Sequence, residues 1–221
     1  MPDVDASLEE LSYALGALGL DGFVLFTNSN GVYLGNPVLE PVFEELERRK
    51  TVVYVHPNPS PDAVAHSLGV PDNLLDFPTD TNRAVAQMHY TNRFGRTPNV
   101  KYIFSHAGGS IPHLAARFAI IDEMGFIAGA ELRGAAADMF RRIYWDTALA
   151  ASDPVLRMLR EVAGLNQVLY GTDFPYLRRD LAINSKQRIL RSSELNDLEK
   201  RAILGGNASR LFRADSALRE M

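Results

Sequence analysis

The stretch Val168-Leu169-Tyr170-Gly171-Thr172-Asp173-Phe174-Pro175-Tyr176 is the most informative part of this chain. Its apolar start predicts a buried strand, and the strand ends in a turn that carries a carboxylate. Two earlier segments have the same form, because residues 52–55 run into His56-Pro57 and residues 102–105 run into His106. Three predicted strands therefore each end on a residue that can bind a metal or move a proton.

Predicted helices alternate with five predicted strands, which end near Thr27, His56, His106, Asp146 and Asp173. Apolar spacing and capping residues predict helices near 7–18, 39–50, 79–93, 112–124, 134–142, 153–164, 185–191, 194–204 and 207–212, the first with a capping box of Ser7 and Glu10. This order predicts parallel βαβ units in one α/β domain over residues 1–221. In an α/β barrel the C-terminal strand ends converge on one mouth, where catalytic residues sit. We therefore expect His56, His106 and Asp173 to form one site.

Composition limits the class of protein. The chain has 221 residues, of which 46% are hydrophobic, so it can form one sizeable core. Its net charge of -4, without a long run of one sign, argues against a nucleic-acid surface. The absence of cysteine excludes disulfides and thiolate metal ligands. Since it has neither a membrane-length apolar run nor the basic, apolar start of a signal peptide, we expect a cytoplasmic protein that binds neither membrane nor nucleic acid.

Five motifs then occur in order along the chain. They are Val-His-Pro at 55–57, Ser-His-Ala-Gly-Gly at 105–109 (followed by Pro112 and Arg117), Tyr-Trp-Asp-Thr at 144–147, Tyr-Gly-Thr-Asp-Phe-Pro-Tyr at 170–176 and Gly-Asn-Ala-Ser-Arg-Leu-Phe at 206–212. From about residue 8 to residue 212, the chain resembles the amidohydrolase-related family that includes aminocarboxymuconate-semialdehyde decarboxylase and γ-resorcylate decarboxylase.

The resemblance implies a TIM (β/α) barrel of the metal-dependent hydrolase type, holding zinc or, as the alternative, manganese. It implies that His56 and Asp173 are metal ligands and that His106 and Asp173 serve in catalysis. The family's His-x-His pair is absent, because no two histidines here are two residues apart. The histidines are His56, His66, His89, His106 and His113. We therefore expect low metal occupancy and an incomplete barrel of about five of eight βα units, the first three missing.

Each of these residues also has a structural interpretation, which stays open. His56 alone could be a hydrogen-bonded histidine at a strand end, and Asp173 could cap the turn that follows it. His106 could satisfy backbone groups near the two glycines after it, although those glycines also allow a ligand to approach the backbone closely. Asp146 ends a strand, so it either faces the mouth or caps a turn.

Asn28, Arg117 and Phe174 are the candidate substrate contacts. Asn28 follows the first strand, and a turn role is its favoured alternative. Arg117 lies on a predicted helix, where an internal ion pair is favoured. Phe174, together with Tyr176 and Trp145, could line a pocket for an aromatic substrate, although aromatic residues near strand ends more often belong to the core.

Two functional hypotheses follow. The first is a divalent-metal hydrolase or non-oxidative decarboxylase that acts on a small carboxylated, often aromatic, molecule. The second is a catalytically inactive barrel fragment with a scaffold or interaction role. The uncovered edge of the strand at residues 23–27 also predicts a homodimer that buries this edge.

Overall fold

The structure, a computed structural model, describes residues 3–62, 69–125 and 135–212, so His66 and the predicted helix start at Gly134 lie outside it. Its seven strands are Gly22–Phe26 (β1), Asn28–Ser29 (β2), Val32–Tyr33 (β3), Val52–His56 (β4), Lys101–Phe104 (β5), Tyr144–Asp146 (β6) and Val168–Leu169 (β7). Five of them form one sheet in the order β1-β4-β5-β6-β7, and every neighbouring pair is parallel. The strands β2 and β3 form a short antiparallel hairpin. The predicted parallel arrangement is therefore confirmed.

Helices connect the parallel strands, as the alternating pattern predicted. They are Val4–Ser12 (α1), Glu40–Arg48 (α2), Asp72–Tyr90 (α3), Arg93–Arg96 (α4), Ile111–Met124 (α5), Ala135–Arg142 (α6), Asp153–Val162 (α7), Arg179–Arg191 (α8) and Asp197–Arg201 (α9), and residues 207–212 are also helical. Single π-helical turns at Tyr13–Ala17 and Ala202–Gly206 extend α1 and α9. Within the described ranges, no helix is both long enough and apolar enough to cross a membrane.

The first helix begins earlier than predicted. Its cap is Asp3, whose Oδ1 accepts a hydrogen bond from the backbone N–H of Ala6 at 3.0 Å. This bond satisfies one of the N–H groups that a helix start leaves without a partner. The predicted capping box of Ser7 and Glu10 is therefore wrong, and both residues lie inside the helix.

Two later helices are also longer than the sequence indicated. Helix α3 begins at Asp72 and not near residue 79, and Pro78 therefore lies inside it. A proline there removes one backbone hydrogen bond and usually bends a helix, which is why the apolar pattern predicted a start only after it. Helix α8 begins at Arg179 and not at Ser185, and most of its first turns are exposed, so apolar spacing gave little signal.

The two faces of the sheet pack differently. One face contributes to the main core under the helices through Val53, Val55, Phe104, Trp145 and Val168. The opposite face, called the inner face here, carries a smaller cluster that includes Val52, Ile103, Leu169 and Leu211, with Tyr54 packed against it. Side chains alternate between faces along a strand, so Val52, Tyr54 and His56 share the inner face. The apolar cluster therefore leads along β4 to a polar strand end.

Candidate active site

Three side chains from three strand ends come together on the inner face. His56 is the last residue of β4, His106 follows β5, and Asp173 follows β7. One ligand atom from each lies within 4.8 Å of the other two. The rings of His56 and His106 meet edge to face, with 5.2 Å between their centroids. All three side chains are half-buried. The convergence expected from the parallel strands is present, and the chemical roles of the three residues stay predictions.

The tautomer of His56 follows from one contact. Its Nδ1 lies 2.8 Å from the carbonyl oxygen of Pro57, and a carbonyl can only accept, so Nδ1 carries the proton. The lone pair of Nε2 is then free to bind a cation. Burial lowers the pKa of His56, and the nearby His106 lowers it further. The imidazole is therefore held in its neutral form, which is the form that binds metals.

His106 has an unusual backbone. Its φ is 54° and that of Ala107 is 53°, both in the left-handed region that costs roughly 1–2 kcal/mol for a residue with a side chain. Gly108 and Gly109 continue the left-handed run. Because strained backbone persists only where the surroundings enforce it, and is found most often at functional sites, the conformation supports a functional role for His106.

The two glycines after His106 pack against protein. A Cβ on Gly108 would lie 2.2 Å from Cζ3 of Trp145, and one on Gly109 would lie 2.6 Å from the carbonyl oxygen of Pro78. The sequence suggested that a ligand could approach the backbone closely at these glycines. That space is instead occupied by the ring of Trp145 and by the backbone of α3 at Pro78. Trp145 is fully buried in the main core, so the core interpretation, which the sequence favoured over a pocket role, is correct.

Asp173 also has left-handed backbone, with a φ of 62°. Its side chain is directed toward His106, with 3.5 Å between Oδ1 and Nε2, which is the outer limit of a hydrogen bond. The strand before it is fixed to its neighbour because Gly171 donates its N–H to the hydroxyl of Thr147 at 3.2 Å. In the part of the chain that the structure describes, the N–H of Phe174 in the following turn is bound by the hydroxyl of Thr172 at 3.2 Å and not by the Asp173 carboxylate, which faces the cluster.

The three predicted substrate contacts have different surroundings. Asn28 is only 1% exposed; its amide donates to the carbonyl of Asn58 and to Asp80, and its Oδ1 accepts from the N–H of Gly31. This environment favours the turn interpretation. Arg117 is exposed on α5, and no ion-pair partner for it is found among the described residues. Phe174 is 63% exposed and directly follows Asp173, so its ring is free.

Three residues of the site were missed by the sequence analysis. Phe26 and Phe77 pack edge to face against the ring of His56, with centroid distances of 6.3 and 5.8 Å. Tyr54 donates its hydroxyl to Asp146, which the sequence left between two interpretations. Strand periodicity could have found Tyr54, because it lies two residues before His56 on the same face of β4.

Comparisons with known proteins agree with this architecture. The family model described as Amidohydrolase (Amidohydro_2) matches residues 1–214. Decarboxylase yanB of Aspergillus niger is 34% identical over 226 residues, covering 96% of this chain and 60% of that protein. The 6-methylsalicylic acid decarboxylase of Penicillium expansum is 34% identical, covering 95% of this chain and 65% of the relative. The 2-amino-3-carboxymuconate-6-semialdehyde decarboxylase of Dictyostelium discoideum is 31% identical, covering 94% of this chain and 57% of the relative.

Solved structures share the fold. The 5-carboxyvanillate decarboxylase LigW of Sphingomonas paucimobilis aligns with a TM-score of 0.84 at 27% identity, over 96% of this chain and 63% of that one. A second 5-carboxyvanillate decarboxylase, from Novosphingobium aromaticivorans and complexed with manganese, has a TM-score of 0.79 at 20% identity, over 96% of this chain and 62% of that one. The fold is thus of the TIM-barrel-like α/β type. The chain spans between 57% and 65% of the length of the three curated relatives above.

Proposed function

This chain belongs to the amidohydrolase family, and from that premise we propose that it takes part in the metal-dependent, non-oxidative decarboxylation of a small aromatic carboxylic acid. The observation that carries the proposal is the cluster of His56, His106 and Asp173 at the strand ends of a fold whose relatives are named as decarboxylases. Because the chain spans less than two thirds of those relatives, the activity and the substrate are proposals for the described site.

His56 and Asp173 are the proposed ligands of a divalent cation. Imidazole nitrogen and carboxylate oxygen are ligands that zinc accepts, and ligand atoms of one tetrahedral zinc lie roughly 3–4 Å apart. The three atoms of the cluster, all within 4.8 Å of one another, are near that spacing. The neutral, Nδ1-protonated His56 fits the role, so the residues present suit such an ion. When bound, the cation supplies Lewis-acid attraction for the oxygens of a carboxylated substrate. Zinc and manganese are both candidates.

His106 is the proposed source of the proton. Loss of CO₂ breaks the bond between the carboxyl carbon and the ring carbon, and the electron pair stays on the ring carbon. A proton must then bond to that carbon, and water must return a proton to the donor. The Nε2 of His106 faces Asp173 at 3.5 Å, which places the imidazole beside the proposed ligand and on the same side of the sheet as His56. Histidine suits proton transfer near neutral pH.

The surroundings of His56 support an aromatic substrate. Phe26 and Phe77 contact its ring from two directions and make one side of the site apolar. Aromatic rings prefer edge-to-face or offset contacts, and such pairs contribute about 0.5–1.5 kcal/mol beyond burial. Phe174 is the aromatic residue among the three predicted substrate contacts, and its exposed ring directly follows Asp173. We therefore keep Phe174 as a substrate contact in this proposal.

The architecture beyond the sheet is part of the proposal. We take residues 1–221 as one domain whose five parallel strands correspond to five of the eight units of a (β/α) barrel. Among the described strands, β1 has a neighbour on only one side in the sheet, and its Val24 and Phe26 are more than half exposed. A second copy of the chain that covers this edge is the proposed partner. Size-exclusion chromatography with light scattering tests it, and a monomer at every concentration would contradict it.

An isotope experiment tests the proposed reaction. The purified chain, supplied with Mn²⁺ or Zn²⁺, is incubated with 6-methylsalicylate, 5-carboxyvanillate or 2,6-dihydroxybenzoate in D₂O. We expect CO₂ release together with deuterium at the ring carbon that lost the carboxylate. The variant H56A should lose this activity, whereas H113A, which alters an exposed histidine outside the cluster, should keep it. A metal-loaded chain that releases no CO₂ from any aromatic acid would favour the catalytically inactive alternative.

A further inference from the structure

Asp146 is a buried carboxylate held by groups from three strand ends. It is 3% exposed at the end of β6. Its Oδ2 accepts the hydroxyl of Tyr54 on β4 at 2.5 Å. Its Oδ1 accepts the backbone N–H of His106 at 2.8 Å and that of Ala148 at 2.9 Å. Burial raises the pKa of Asp146, and the hydrogen bonds from Tyr54, Ala148 and His106 act against that effect.

The bond to His106 acts at the strained point of the site. His106 begins the left-handed run, and its N–H is the group that Asp146 binds. A buried backbone N–H needs an acceptor, so a hydrogen bond that forms only when this N–H points at Oδ1 favours the left-handed conformation against its strain. The direction of the imidazole depends on that backbone conformation, because the side chain leaves from the same residue.

The position of Asp146 is itself constrained by the neighbouring strand. A Cβ on Gly171, two residues before Asp173, would lie 2.7 Å from Oδ2 of Asp146. Only a residue without a side chain fits at that position while the carboxylate stays in place. The Asp146 carboxylate thus lies against all three strand ends of the cluster. It contacts His106 directly, and it lies against Tyr54 and Gly171, which stand two positions before His56 and Asp173.

We propose that Asp146 is a positioning residue: its carboxylate fixes the left-handed backbone of His106 and so directs the imidazole toward Asp173. The inference rests on the proposed function for its kinetic consequence, since the proton transfer is assigned to His106. Its structural content, a hydrogen bond that sets the backbone at residue 106, is independent of the reaction.

Two substitutions at Asp146 separate position from charge. Asparagine keeps an oxygen that can accept both backbone N–H groups, and the Tyr54 hydroxyl can rotate to accept from its amide, so D146N should retain most of the turnover. Alanine removes the acceptor, and D146A should lower kcat by about 100-fold with little change in KM, because a misplacement of about 1 Å can cost that much. Each variant is compared at a temperature where it is fully folded.

The variant D122A is the matched control. Asp122 is also a buried aspartate, but it accepts from His89 at 2.9 Å and from the N–H of Ala136 at 3.1 Å, and neither belongs to the site. Its loss should lower stability without lowering kcat. The proposal is overturned if D122A and D146A lose turnover equally, if D146A keeps the kcat of the wild type, or if D146N is as slow as D146A.

A measurement that needs no substrate tests the same contact. The backbone amide resonance of His106, assigned by ¹⁵N NMR, should be shifted downfield and protected from hydrogen exchange in the wild type and in D146N. Both properties should be lost in D146A. An amide that is unchanged in D146A overturns the inference. If the wild type releases no CO₂ but the amide behaves as expected, the proposed function fails and the positioning role stands.

Discussion

The Nε2 of His106 and the Oδ1 of Asp173 lie 3.5 Å apart although 67 residues separate them in sequence. Both residues have left-handed backbone, with φ values of 54° and 62°. Each follows a parallel strand at the point where the chain turns away from the sheet, and the strand order places β6 between β5 and β7. The two side chains therefore meet across the end of β6, and the folded sheet must supply about 1–2 kcal/mol per residue to hold them there.

Substitutions in the cluster should separate metal binding from proton transfer. Because His56 and Asp173 are the proposed ligands, H56A and D173N should lower the bound Zn²⁺ or Mn²⁺ measured by elemental analysis after dialysis. Because His106 is the proposed proton donor, H106Q should keep the metal of the wild type and lower kcat by about 10²–10⁴-fold. Loss of metal in H106Q would instead make His106 a third ligand.

Metal should stabilise the folded chain, because the three side chains lie together only when β4, β5 and β7 are assembled. A cation at about 100 times its Kd should raise the free energy of unfolding by about 2.7 kcal/mol, which for a chain of this size corresponds to roughly 5–11 °C in Tm. Calorimetry with and without Zn²⁺ measures the shift. The variant H56A should show little of it, and an equal shift in H56A would place the cation elsewhere.

The order of the strands and the residues at their ends could be predicted from sequence. An apolar run followed by His-Pro, His-Ala-Gly-Gly or Gly-Thr-Asp gives both the strand and the point where it stops. Parallel pairing then brings His56, His106 and Asp173 to one edge without any knowledge of side-chain packing. This part of the prediction depends on local pattern and on a topological rule.

The contacts that adjust the site could not be predicted in this way. The glycines after His106 indicated backbone freedom, but only packing shows that Trp145 fills the space at Gly108. Asp146 could face the mouth or cap a turn, and it does both, because its Oδ1 accepts from His106 and from Ala148 two residues later. The contacts between Asp146 and His106 and between Gly108 and Trp145 join residues that are about 40 positions apart, so no local pattern contains them.

Replacement of Gly108 by alanine should destabilise the chain strongly. The new Cβ would lie 2.2 Å from Cζ3 of Trp145, at a φ of 70°. Overpacking typically costs 1–3 kcal/mol and the left-handed backbone adds about 1 kcal/mol, so we expect a loss of about 3 kcal/mol in urea unfolding. The control is G19A, where φ is 63° but no atom lies within 4 Å of the new Cβ, and we expect a loss of about 1 kcal/mol there. Equal losses in the two variants would show that backbone strain alone is responsible.

Glu45 should make stability depend on pH in the acid range. It accepts from Arg48 at 2.6 and 2.7 Å and from Arg49 at 2.5 Å. The hydrogen bond from Arg48, followed by that from Arg49, lowers the pKa of Glu45 from 4.5 to about 2 against the effect of burial. A carboxyl group whose pKa is lower in the folded state than in the unfolded state stabilises the fold at any pH above the unfolded-state pKa. This stabilisation is lost as the pH falls from 4.5 toward 2.

The variant E45Q should therefore unfold more easily at pH 7 and should approach the wild type as the pH falls toward 2. We expect a difference of only about 1 kcal/mol at pH 7, because Arg48 is largely exposed and solvent screens the pair. Urea unfolding followed by circular dichroism between pH 3 and pH 7 measures it. The neighbouring E44Q is the control, since Glu44 is exposed on the same helix and its replacement should leave the unfolding free energy near that of the wild type. A difference for E45Q that stays constant down to pH 3 would mean that glutamine loses packing or helix stability there and that the ion pairs contribute little.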